Sequence, residues 1–388
     1  MKKTIVYMGN FGFPDRNASG KRVLGNCLMF QSLGYRAVCI GPGDGSTLAC
    51  EGVCCHTIAV GNTDRVLGNK WQEALNILER ECENGNLYAV VLYGALFTQR
   101  ENVSVVKWCK RNGVSVFYDH VDWFELNWHN PIRAVVRATN YLLQDKLVIP
   151  RCDGVICISN YLAEHHKNYG RRTVIIPPLS MEKLTACKKR PEDAPIRFVY
   201  AGTTTDVARP VAQWKDRLDI MFGALVDAVE PDGRSFVFDI YGLTGEQYIR
   251  MFPDDLRDAG RKVLAQLGDR VVFHGMTPNA QVMQAVSEAD FTVLIRDRKR
   301  STMAGFPTKV SESISCGTPV ICTDTSDLRD YIRNGHNGFV CEIDELAEVY
   351  RAVLKMPDEE LTAMKQACLE NSFYYLNYTA GMCNFLEG

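Results

Sequence analysis

Short apolar runs alternate with stretches of helical periodicity along nearly the whole chain, and this alternation limits the fold more than any other feature. Residues 4–8 form a continuous apolar run, as a parallel strand buried on both faces requires. A Gly/Asn/Pro-rich loop over 9–20 follows, then a helix over 21–33 with Val23, Leu24, Cys27 and Phe30 at helical spacing. Gly34 ends that helix and a strand over 36–40 comes next. The order recurs with a strand at 57–59, a helix at 69–83, a strand at 89–92, a helix at 100–111 and a strand at 115–118. A strand at 155–159, a helix at 160–169 and a strand at 174–176 close the series. Such alternation predicts a doubly wound, mostly parallel sheet.

A second series begins after the polar, aperiodic stretch 181–195, which reads as an interdomain linker. Its strands are expected at 197–200, 236–241, 271–274, 291–295 and 319–322. At 388 residues the chain is too long for one ordinary core, which agrees with two domains of roughly 190 residues. We expect domains at 1–185 and 195–365, and a helical segment at 366–388. The aromatic group Phe373, Tyr374, Tyr375 and Tyr378 near the end must pack on something, the first domain being the expected surface. Open α/β sheets bind ligands outside the carboxyl ends of their strands, so a cleft between two such edges is the expected site.

Composition narrows the function. With 46% hydrophobic and 23% charged residues the chain is that of a soluble globular protein. A net charge of −2 gives no general attraction to nucleic acid, so an anion site must be local. The 15 cysteines are scattered and odd in number, as expected of reduced thiols in a cytoplasmic protein. Cys50, Cys54, Cys55 and His56 cluster, but without a second ligand pair at zinc spacing. No signal peptide or membrane span is expected; the longest apolar candidate, 87–97, reads better as a buried strand. Residues 133–151 mix Arg133, Arg137, Lys146 and Arg151 with Val135, Val136, Leu142, Leu143, Leu147 and Val148. That composition suits either an amphipathic core helix or a peripheral contact with anionic lipid.

The segment 296–321, RDRKRSTMAGFPTKVSESISCGTPVI, concentrates the chemistry. It reads as a strand end, a loop, a short helix opening at Phe306-Pro307-Thr308-Lys309, and another strand. Pro307 suits the first helical turn, Gly317 ends the helix, and Pro319 prevents its restart. A helix N-terminus at a strand's carboxyl end offers unpaired N–H groups and partial positive charge, an anion seat. Lys309 and Arg296 add full charges, and Glu312, one turn further in, is placed to accept from sugar hydroxyls. Together they suggest a nucleotide-sugar site. By contrast Gly9-Asn10-Phe11-Gly12 does not supply the dinucleotide fingerprint G-x-G-x-x-G.

The stretches FVYAG at 198–202, WKDRLDIMFGAL at 214–225, AGFPTKVSES at 304–313 and SDLRDYIRNGHNGFV at 326–340 resemble retaining GT-B glycosyltransferases of the family 4 type. YDHVDW at 118–123 and CDGVICISNYLAEHH at 152–166 agree more loosely, so the resemblance covers nearly the whole chain. It implies a GT-B fold: two Rossmann-like, doubly wound parallel-sheet domains facing a cleft, the first on the acceptor side and the second on the donor side. It implies that Lys215 grips the donor diphosphate, with Arg209 as its candidate partner, and that Glu312 binds the ribose. The family's other glutamate would fall on Ala304, so the sugar contact it makes is absent here. The backbone of Gly305, Phe306, Pro307 and Thr308 would take over more of that contact, with Gly12, Gly202 and Thr203 at the other loop ends. Asp119 and His120 match the position that contacts the donor sugar or orients the acceptor, although Asp119 at a strand end reads equally as a capping or core-satisfying carboxylate, and a His120 pKa near neutrality would suit a general base.

The expected reaction moves a sugar from a nucleotide-diphosphate donor to a glycan or lipid-linked acceptor, in cell-surface polysaccharide synthesis. Negative charge grows on the departing diphosphate, and Lys215, Arg296 and Lys309 would stabilise it without a metal, since no DxD-like carboxylate pair stands beside them. No cofactor is expected. Arg16, Lys21 and Arg22 read as solvated charges or as contacts to an anionic acceptor. The missing carboxylate at Ala304 keeps a catalytically silent nucleotide-sugar binding protein open as the alternative. No motif names the donor base, the sugar or the acceptor.

Overall fold

The computed structural model describes residues 2–59, 71–83, 86–95, 98–123, 131–188, 190–191, 194–203, 210–230, 233–370 and 373–388. The chain divides into two compact units. One comprises Met1–Met181, Met303–Phe306 and Tyr374–Gly388; the other comprises Glu182–Thr302 and Pro307–Phe373.

In the first unit the strands are β1 (Thr4–Gly9), β2 (Arg36–Gly43), β3 (Thr47–Cys50), β4 (Val53–Ala59), β5 (Leu87–Tyr93), β6 (Ser115–His120), β7 (Gly154–Cys157) and β8 (Thr173–Ile175). They lie in the order β3-β4-β2-β1-β5-β6-β7-β8. All adjacent pairs are parallel except β3–β4. β1 is buried along its whole length, as its uninterrupted apolar sequence requires. The β3–β4 hairpin was not expected. Its turn places Glu51 at φ 50° and Gly52 at φ 74°, a left-handed pair that matches the twist of a two-residue hairpin. The run expected at 57–59 is only the end of β4, because the alternation of Val53–His56 was hidden by its cysteines.

The second unit holds β9 (Ile196–Ala201), β10 (Phe236–Tyr241), β11 (Val271–Gly275), β12 (Phe291–Leu294), β13 (Val320–Thr323) and β14 (Gly338–Cys341). Their order is β11-β10-β9-β12-β13-β14, all parallel. In each sheet the strand order reverses beside the first strand: β1 lies between β2 and β5, and β9 between β10 and β12. Loops leave such a point in opposite directions, which opens a crevice at the strands' carboxyl ends. Local signals set the helices that follow. Asn17 caps Ala18–Ser32 through Gly20 N–H at 2.9 Å, and Thr98 with Glu101 forms a capping box ahead of Gln99–Arg111.

The C-terminal aromatic group is divided between the units. Phe373 stacks on Tyr331 with centroids 4.9 Å apart in the second unit. From Tyr374 the chain belongs to the first unit: Tyr375 N–H donates to Ser180 O at 3.1 Å and Phe385 packs on Phe117 at 4.9 Å. The helix Pro131–Leu143 leaves Val135, Val136 and Leu142 more than half exposed, with Leu147 exposed just beyond it. That side of the segment is therefore not core. No helix among the described residues is long and apolar enough to cross a membrane.

Candidate functional site

The second sheet's reversal point gathers the charges. Tyr200 stands one residue before the end of β9, Arg296 follows β12, and Lys309 sits in the first turn of the helix Thr308–Ser315. All three converge on Asp216, which lies between the buried Trp214 and the helix Leu218–Ala228. Arg296 Nε donates to Asp216 Oδ1 at 2.6 Å, and Lys309 Nζ to Oδ2 at 2.5 Å. Tyr200 O–H donates to Oδ2 at 2.8 Å, and Lys309 lies over the Tyr200 ring at 4.3 Å. The side chains of Arg296, Asp216 and Lys309 are 9, 10 and 22% exposed, so Lys309 is the member nearest solvent. Burial alone would raise the Asp216 carboxyl, yet Lys309 and Arg296 hold it well below the usual carboxylate range. Burial pushes the Lys309 ammonium down, and Arg296 and Lys215 add to that against Asp216.

Two cations share one carboxylate, so the cluster keeps a net positive charge. Lys215 is exposed and close enough to act on Lys309 electrostatically. Pro307 stands at the N-cap position, not in the first turn, and no side chain caps the helix. Gly317 at φ 74° ends it, with Thr318 N–H donating to Ser313 O at 3.0 Å. A Cβ on Gly202 would strike Lys309 Nζ and the Tyr200 hydroxyl, so only glycine lets the chain pass beside the lysine. Thr203 is exposed next to it, and Glu312 is half-buried one turn after Lys309. Gly305 and Phe306 precede Pro307 and Thr308 in the same loop, Phe306 and Pro307 being buried. Arg209 lies outside the described residues. Asp216 was missed because its role depends on three residues distant in sequence. The signal available was a Lys-Asp pair ahead of a helix, which by itself reads as surface charge.

In the first unit the structure corrects several expectations. Arg22 is not solvated but 3% exposed, and its guanidinium grips Asp119 through Nε at 2.9 Å and NH2 at 2.7 Å. It also donates to Ile176 O at 2.8 Å. Asp119 takes the Tyr7 hydroxyl as well, and Asn26 Nδ2 donates to that hydroxyl at 2.9 Å. Every oxygen of Asp119 is thus committed, so the carboxylate ties β6 to β1 and the first helix instead of facing substrate. The glycines of the loop over 9–20, Gly12 of the expected site among them, are packing positions. A Cβ on Gly20 would strike Gly12 O, and one on Gly9 would strike Tyr93 O. Gly12 N–H itself bonds Asn17 Oδ1 at 3.2 Å.

His120, at the end of β6, is 2% exposed and its pKa falls to about 4. Burial is the main cause, with His165 adding to it, so a near-neutral base is not formed. Its Nδ1 lies 2.8 Å from His166 Nε2, and His165 Nε2 lies 3.1 Å from Asp145 Oδ1. Asp145, His165 and His166 offer ligand atoms within 4.8 Å of one another, a grouping the sequence did not reveal. Cys54 and His56 share one side of β4, their Sγ and Nε2 3.8 Å apart, while Cys55 is buried on the other.

Residues 189–358 match the family model described as glycosyl transferases group 1. N-acetyl-alpha-D-glucosaminyl L-malate synthase of Bacillus anthracis is 30% identical over 94 residues, 24% of this chain and 23% of that protein. The aligned part thus spans about a quarter of that relative's length. Among solved structures, sucrose-phosphate synthase from Thermosynechococcus elongatus superposes with a TM-score of 0.67 at 14% identity, covering 99% of this chain and 98% of that one. Anabaena Alr3699/HepE in complex with UDP and glucose gives 0.59 at 16% identity, covering 98% of each chain. The two parallel-sheet α/β units have the GT-B fold. The likeness to glycosyl transferases group 1 is confined to 189–358, less than half of the chain.

Proposed function

We propose that this chain is a retaining glycosyltransferase that moves a sugar from a nucleotide-diphosphate donor to a glycan or lipid-linked acceptor. One observation carries the reading: Arg296 and Lys309 outnumber their shared carboxylate beside a helix N-terminus that no side chain caps. An anionic diphosphate supplies the missing negative charge, and its charge grows as the glycosidic bond to it breaks. UDP is the first base to test, because the Anabaena neighbour was solved with UDP and glucose. On this reading Lys309, Arg296 and Lys215 serve the leaving group in place of a metal. Gly202, Thr203, Gly305, Phe306, Pro307, Thr308 and Glu312 line the donor's path.

The acceptor reading includes a peripheral membrane contact and a cytoplasmic location, in cell-surface polysaccharide synthesis. Exposed Val135, Val136, Leu142 and Leu147, with the cations Arg137, Lys146 and Arg151 on the same segment, fit an anionic lipid surface. All 15 cysteines are free, as a reducing compartment would keep them. Ala304 is a fully buried methyl where a family carboxylate is expected, and this favours a second reading, a nucleotide-sugar binder without turnover.

Thermal-shift titration with UDP-, GDP- and ADP-sugars, followed by product analysis of the best binder in EDTA, tests both. A donor at about 100 times its Kd should add nearly 3 kcal/mol of stability. Binding with transfer and retained anomeric configuration supports the first reading. Binding without hydrolysis or transfer supports the second, and no binding rejects both.

A further inference from the structure

The loop that leads into the helix Thr308–Ser315 is anchored by a residue far from it in sequence. Met303–Phe306 belongs to the first unit, although the chain on both sides of it belongs to the second. Within the first unit one buried side chain holds this segment. Ser159, two residues after β7, is fully buried, and its Oγ lies 2.6 Å from Ala304 O. A carbonyl oxygen only accepts, so the serine gives its single hydroxyl hydrogen to Ala304. The same Oγ accepts the Leu162 N–H at 3.4 Å and so caps the helix Asn160–Lys167. Its donor and acceptor capacities serve two different purposes, and substitution can separate them.

Ala304 closes the short helix Arg300–Ala304, and the last carbonyls of a helix have no partner within it. Ala304 is fully buried, so its carbonyl depends on the serine. Leaving a buried carbonyl unpaired is costly, and the loop would shift to avoid it. Little between Ala304 and Lys309 can absorb such a shift. Phe306 is buried and precedes a proline, which restricts its backbone. Pro307 is locked at φ −75°, and its carbonyl already accepts the Val310 N–H at 2.9 Å. From Thr308 the chain is helical. Gly305 alone in this stretch escapes these limits.

We propose that Ser159 is a positioning residue for the anion seat. By holding Ala304 O it fixes where the chain enters the helix Thr308–Ser315, and with it the N–H groups and Lys309 that receive the diphosphate. This role rests on the transferase reading. It gives a residue of the first unit a part in donor binding that needs no contact with the donor.

Three variants test it. Ser159→Gly removes the hydroxyl donor but leaves a residue that still suits an N-cap; Ser159→Ala removes donor and cap together. Thr98→Ala removes a cap elsewhere in the same unit. Affinity is measured calorimetrically with the best bound of UDP, GDP and ADP. We expect Ser159→Gly and Ser159→Ala to lose affinity equally, by roughly tenfold, as for one hydrogen bond. Thr98→Ala should keep native affinity, while it and Ser159→Ala melt about 2–4 °C lower. Without nucleotide, hydrogen exchange over 303–310 should quicken in Ser159→Gly, and exchange over 160–167 should stay at the native rate. Native exchange over 303–310 in that variant would overturn the proposal. So would faster exchange with native affinity, because the seat would then not depend on the anchor. A loss of affinity in Ser159→Ala alone would trace to the cap and overturn it as well. A native chain that binds none of the three nucleotides rejects the transferase reading, and the exchange then decides separately whether Ser159 holds the loop.

Discussion

Asp119, at the end of β6, and Asp216, ahead of the helix Leu218–Ala228, are both buried carboxylates held by an arginine beside a sheet's carboxyl edge. Asp119 meets one cation, Arg22, and fills its remaining capacity with the Tyr7 hydroxyl. The charges cancel and the group is sealed. Asp216 meets two cations, and the outer one, Lys309, keeps 22% of its side chain exposed. A positive charge is left over where solvent can reach it. The lesson concerns balance more than residue type, since a neutral buried pair is scaffold whereas an excess charge next to bare helix N–H groups can take an anion.

The strongest way to break this comparison is to unbalance the sealed pair. Arg22→Met leaves Asp119 buried without its cation and should cost about 3–5 kcal/mol. Arg22→Met with Asp119→Leu should recover most of that loss in urea unfolding. A single variant as stable as the native chain would show that Asp119 is not held as described.

Lys309→Met should act differently, weakening nucleotide binding by roughly tenfold to a hundredfold, the range for one charge-assisted hydrogen bond. Calorimetric titration with the preferred nucleotide checks it. Unchanged affinity would remove the anion seat from the function.

Acid separates the two units next. His120 and His166 have folded pKa values of about 4 and about 3, depressed below the ordinary value near 6.5. Their contribution is complete above about pH 6.5 and is lost as pH falls toward 4 and 3. At pH 5 each costs about 2 kcal/mol relative to pH 7. The Asp216 carboxyl is also depressed, so its contribution persists above about pH 4 and fades only below it. Hydrogen exchange between pH 7 and 5 should therefore loosen the first sheet before the second. Equal loosening would contradict the buried neutral histidines.

The smallest effect belongs to Lys215. Exposed and screened, its replacement by Ala should weaken nucleotide binding only a few-fold, and less at high salt. A loss as large as that of Lys309 would mean that the ligand contacts Lys215 directly.

Strand–helix alternation, both parallel sheets and the loop–helix–strand order around Pro307 could be read directly from the chain, because apolar period and turn residues act over a few positions. So could the likeness over 189–358 to glycosyl transferases group 1. The β3–β4 hairpin could not, since cysteines blurred its alternation. Arg22 looked like a solvated charge for a related reason: nothing adjacent to it in sequence reports that Asp119 waits for it across the fold.

The order of apolar and polar residues by itself determined two α/β units and the presence of a cation-rich helix start, since those are local consequences of periodicity and capping. Only the tertiary structure decided which charges cancel. It paired Arg22 with Asp119, placed Asp216 between Arg296 and Lys309, and brought His166 within 2.8 Å of both Arg171 and His120. Each of these joins residues distant in sequence, and the energy of a buried charge is set by what folding brings within about 3 Å of it.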